Sequence, residues 1–159
     1  MTLACVMLLT WSLTIYLMLP AEIAHLPDDL ISSHIRSLLA SNVADVLSSD
    51  QHTVKPWFNG KLDFSPPVQD LTAQGFALVG GRLDYVAGRP VAALVYRHRQ
   101  HLINLFIWPT ADGGNSAVQT LIKQGYNLVH WMHAGMSLWA VSDLNQEELV
   151  ELARMLSGR

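Results

Sequence analysis

From Phe76 to Pro109 three apolar runs alternate with two short polar breaks, Ala87–Gly88–Arg89 and His98–Arg99–Gln100. Runs of that length, rich in β-branched and aromatic residues, predict a three-stranded antiparallel meander. Gly88 supplies the positive φ of a tight turn, and Pro90 stiffens entry into the next strand. Gly80–Gly81 inside the first run predicts a bulge. Val91 to Tyr96 is apolar at successive positions, the pattern of a central strand covered on both faces. Tyr126–Met132 and Met136–Ser142, around an Ala134–Gly135 turn, add two strands whose Tyr126, Trp131 and Trp139 should join the core.

Helical spacing frames these strands. After Pro27–Asp28–Asp29, Leu30, Ile31, His34, Ile35, Leu38 and Leu39 recur at three- and four-residue intervals, with Asn42 as a stop and one or two further helical turns over Val43–Leu47. A helical turn is expected at Leu71–Gln74, and a short helix at Ala117–Gln124 closed by Gly125. Near the end, Asn145 and Glu148 form a capping box, Leu144 and Leu149 occupy the staple positions, and Leu149, Leu152, Ala153 and Leu156 make one apolar face. Asp50 to Val68, with Pro56, Pro66, Pro67 and Gly60, reads as a loop with short extended pieces at Thr53–Val54 and Leu62–Phe64. The expected fold class is α+β: an N-terminal transmembrane helix, then about five antiparallel strands with a linker helix and a C-terminal helix packed on the sheet.

The transmembrane expectation rests on Leu3 to Leu19, LACVMLLTWSLTIYLML, which carries no charge and, extended to Ala24, reaches the length of a bilayer span. It reads as an anchor in preference to a cleaved signal peptide: no Lys or Arg precedes it, and Ala21 and Ala24 make poor cleavage sites. The predicted division is residues 1–24 as anchor, 25–49 as a linker helix region and 50–159 as a periplasmic α+β domain, with single-pass placement in a bacterial inner membrane. Charge does not orient the span, because Arg36 is the first basic residue.

Composition narrows the chemistry. A formal net charge of -3 gives no basic field, so no direct nucleic-acid partner is expected. The single cysteine, Cys5, excludes an internal disulfide and a cysteine-based zinc finger. Seven histidines include His98 and His101 flanking one hairpin turn and His130 and His133 flanking another, but without HExxH or cysteine they read as exposed turn residues. Arg82, Arg89, Arg97 and Arg99 read as a charged sheet edge in preference to an anion-binding face. No GxSxG elbow is present, so no enzyme, metal site or cofactor is expected. Trp57 and Phe58 read first as plugs for the open side of the sheet. The alternative is a ligand-sensing surface made by His52, Lys55, Trp57 and Asp63, where polar groups bracket aromatics.

Two phrases are distinctive: HTVKPWFNGKLDFSPPV, His52 to Val68, and GFALVGGRLDYVAGRPVAALVYRHRQHLINLFIWP, Gly75 to Pro109. Together they resemble the non-cytoplasmic part of bacterial membrane-bound anti-sigma factors. The resemblance implies a membrane-anchored regulatory or sensor domain that acts by protein interaction in envelope-to-transcription signalling. Its implied partners are the membrane and a sigma factor, the latter through a cytoplasmic module missing from this chain. Neither sigma binding nor zinc carries over to any residue here, and self-association is left open. The alternative expectation is a periplasmic ligand- or metal-binding module.

Overall fold

The computed structural model describes residues 21–48, 51–111 and 113–158. Helix α1 spans Ala21–Leu39, strand β1 Val46–Leu47 and helix α2 Gln51–Trp57. A 3-10 turn at Thr72–Gln74 leads into the meander β2 (Ala77–Val86), β3 (Arg89–His98) and β4 (His101–Pro109). Strands β5 (Gln119–Lys123), β6 (Tyr126–His133) and β7 (Met136–Ser142) and helix α3 (Gln146–Leu156) follow.

All seven strands form one antiparallel sheet in the order β1-β2-β3-β4-β7-β6-β5. The meander matches the apolar pattern, with Ala87 at φ 47° and Gly88 at φ 73° in its first turn. The expected bulge falls between Leu78 and Gly80, where the β2–β3 register shifts. The β3 residues Val91 to Tyr96 are fully buried, because both sheet faces are covered. On one face α2 and α3 bury Val54, Phe58, Leu149, Leu152 and Leu156 against Leu94, Leu105 and Trp131. On the other, α1 lays Leu30 and Ile31 over Val91, Ala93, Phe106 and Leu128. The α3 cap forms as expected: Asn145 Oδ1 accepts from the Glu148 amide at 2.9 Å, and Asn145 Nδ2 donates to Glu148 Oε2 at 2.7 Å.

The expected fold class needs correction. The sheet has seven strands in place of about five, with three helices. Residues 119–123 are strand where a short helix was expected. Gln124 (φ 52°) and Gly125 (φ 82°) make a two-residue hairpin turn, and pairing with β6 holds residues 119–123 extended. Part of the expected helical turn at 43–47 is the short edge strand β1. The expected loop after residue 50 holds α2, because Val54 in it and Phe58 in the turn just past its end, four residues apart, are both buried in the core. Pro56 lies one residue from the end of α2, so its missing amide forfeits a single i→i−4 hydrogen bond and its ring interrupts no following turn.

The membrane placement is also corrected. The apolar run Leu3–Leu19 lies outside the described residues. Among the described residues no helix is long and apolar enough to cross a membrane, so a single-pass inner-membrane placement is not supported. The helix expected to lead away from a bilayer is instead α1, which continues unbroken through Pro27 and packs on the sheet.

Candidate functional site

Strand β2 lies between two helices, and its glycine pair determines how closely one of them approaches. A Cβ on Gly81 would sit 2.9 Å from Val54 Cγ1 and 3.0 Å from the Phe58 ring, so α2 rests directly on the β2 backbone. A Cβ on Gly80 would fall 2.1 Å from the Val46 carbonyl oxygen and 2.9 Å from Ala44 Cβ, which admits the segment carrying β1. Both glycines therefore serve close approach of backbone and helix.

Beside α2 is a cleft of about 490 Å³ lined by His52, Lys55, Pro56, Asn59, Ser65 and Val68. Pro56 and Val68 give it an apolar floor, and Lys55, Asn59 and Ser65 bring a cation, an amide and a hydroxyl. Of the four residues in the expected sensing surface, the fold brings His52 and Lys55 to this cleft. Trp57 and Asp63 do not line it. Trp57 packs edge-on against Phe58, centroids 5.2 Å apart, with Lys61 Nζ 4.7 Å from its ring centroid. Asp63 is exposed on the loop. The plug reading holds for Phe58, which is fully buried, while Trp57 is half-buried.

On the opposite face β2 presents Arg82 and Asp84 to α1. Arg82 Nη2 lies 3.0 Å from Asp84 Oδ2 and donates to Ser33 Oγ at 3.3 Å, and the Ser33 hydroxyl donates to Asp84. One turn along α1, Asn104 Nδ2 of β4 donates to Ser37 Oγ at 2.7 Å, and Ser37 Oγ donates to the His34 carbonyl at 2.7 Å. His34 is buried between them, edge-on to Tyr126 at 5.3 Å. Both His34 ring nitrogens, Arg82 Nη1 and Asn104 Oδ1 are buried with no hydrogen-bond partner among the described residues. Burial, and then the nearby Arg82 charge, push the His34 pKa down to about 4, so the ring is neutral at pH 7. Burial also lowers Arg82, against the opposing pull of Asp84.

This polar contact is the part that sequence reasoning missed. Arg82 is not at a charged sheet edge; it is buried under α1, its guanidinium 5.8 Å from the Phe106 centroid. The available signal was polar residues on an apolar helix face: Ser33, His34 and Ser37 share the stripe of Leu30 and Ile31. A buried interface that could have been wholly apolar but holds an ion pair and unpartnered polar atoms is less stable than it could be.

The turn histidines are not merely exposed. His98 stacks on Phe76 at 4.3 Å, with Nδ1 2.8 Å from the Gly75 carbonyl oxygen, and His130 stacks on Trp139 at 4.3 Å. Among the described residues no group of three or more His, Cys, Asp or Glu is placed to hold a metal ion.

Fold and site together define a helix-clad antiparallel sheet domain with a surface cleft on one face and a buried polar helix–sheet contact on the other. No family model, curated protein or solved structure matches the chain.

Proposed function

We propose that the protein is a regulatory or sensor domain related to the anti-sigma factors, acting by protein interaction in signalling to transcription. The observation that carries this reading is the position of β2: Gly81 seats α2 beside the cleft, and its neighbour Arg82 holds α1 on the other face. The two phrases that carry the resemblance therefore meet in space, VKPWF on α2 against LVGGRLDY on β2. An occupant of the cleft that favours one position of α2 shifts Val54 and Phe58 against Gly81, and so biases the Arg82–Asp84–Ser33 contact. Only an occupant that binds the two states unequally transmits anything. The cleft supports ligand binding as the input and α1 as the output.

The test is transcript profiling of cells with and without the gene, complemented by wild type or by Arg82→Ala at matched protein level. The reading predicts that promoters of one sigma class move together, that wild type restores them and that Arg82→Ala does not. No coherent promoter set, or full restoration by Arg82→Ala, contradicts it.

A further inference from the structure

Strand β5 ends the sheet, and among the described residues no strand pairs with its outer edge. In its two-residue hairpin the flanking pair Lys123 and Tyr126 exchange hydrogen bonds, and the phase alternates from there. Leu121 and Gln119 therefore bond inward to β6, while Thr120 and Ile122 turn their N–H and C=O groups outward. Those groups find no backbone partner among the described residues. Leu121 is 40% exposed and Ile122 66% exposed. Two usual protections of an edge are missing here: β5 has no proline and no bulge. Its one charge, Lys123, is already matched by Asp28, with Nζ 2.7 Å from Oδ1.

We propose that the chain forms a two-fold dimer in which β5 pairs antiparallel with β5 of a second copy, with Leu121 on the axis. That register keeps every residue of the strand paired. Thr120 meets the second copy's Ile122, and Ile122 meets its Thr120, so outward-pointing groups meet outward-pointing groups and four backbone hydrogen bonds form. The two Leu121 side chains meet on the α1 face, since Leu121 pairs with Leu128 of that core. Ile122 covers Thr120 on the α3 face. Lys123 lies opposite Gln119, so no like charges meet. The other sheet edge, β1, is only two residues long, so a head-to-tail assembly has nothing comparable to pair with and the contact closes as a dimer.

The test is light scattering on the full chain over a concentration series, with two variants. Ile122→Pro removes an outward amide and leaves the β5–β6 ladder intact. Leu121→Lys places like charges on the axis at a position that is exposed in the monomer. The proposal expects a wild-type dimer, and monomers for both variants with unchanged circular dichroism. In a Cys5→Ser background, oxidised Leu121→Cys should give a covalent dimer, because a non-hydrogen-bonded antiparallel pair suits a disulfide, whereas Leu83→Cys should not. A monomeric wild type overturns the proposal. So does a dimer that survives Leu121→Lys, or cross-linking as efficient at position 83 as at 121.

Discussion

Asn104 on β4 and Ser37 on α1 are joined by a 2.7 Å hydrogen bond in the interior of the protein, with Asn104 Nδ2 as donor and Ser37 Oγ as acceptor. The bond ties a helix to the middle of the sheet through buried polar groups. It has a second consequence, because Asn104 Oδ1 stays buried and unpartnered among the described residues. Removing only one member should therefore cost more than removing both. Ser37→Ala is expected to destabilise by about 1–3 kcal/mol, since it strands a buried amide donor. Ser37→Ala with Asn104→Leu should recover most of that loss. Urea titration of both single variants and the double variant measures the coupling.

His34 makes α1 docking sensitive to acid. Its folded pKa, about 4, lies below the ordinary 6.5. The neutral ring is the form that fits, so its contribution is fully present above pH 6.5 and is lost as the pH falls from 6.5 towards 4. The upper bound on the loss is about 3 kcal/mol. His130, also lowered by burial, acts in the same direction. Thermal melts between pH 7.5 and 4.5 should show a fall in Tm that is markedly smaller in His34→Leu.

The glycine pair predicts an order of severity. Gly81→Ala presses on the Val54 and Phe58 side chains, which can give slightly, and should cost about 1–3 kcal/mol as overpacking does. Gly80→Ala meets a backbone carbonyl at 2.1 Å and should cost more. Equal losses in denaturant titrations would show that the close approach of β1 does not matter.

At the C-terminal helix, Asn145→Ala removes the acceptor of the Glu148 amide. A loss of about 1 kcal/mol is expected, and Asn145→Asp should retain most of the stability.

Local signals told part of the fold. The meander, the 134–135 hairpin and the capped α3 were legible because turn residues and apolar period agreed. The β5 region was not: QTLIKQG has no period that separates a five-residue strand from a helical turn, and only pairing with β6 decides it. Residues 51–57 misled through Pro56, since a proline in a last helical turn looks the same in sequence as one in a loop. Half of the expected sensing surface, His52 and Lys55, reached the cleft, and Trp57 went to packing. The α1 contact was hidden because Ser33 and Arg82 lie 49 positions apart in sequence, and nothing local announces that a polar residue will be buried.

Hydrogen exchange on Gly81→Ala tests the coupling through β2 most directly. The substitution touches α2 and lies on the face of the sheet away from α1. If β2 links the two helices, amides of α1 from Leu30 to Ser37 will exchange faster together with those of α2, by a similar factor. If α2 loosens while α1 exchanges as in wild type, the two faces are independent and the proposed route from cleft to helix is wrong.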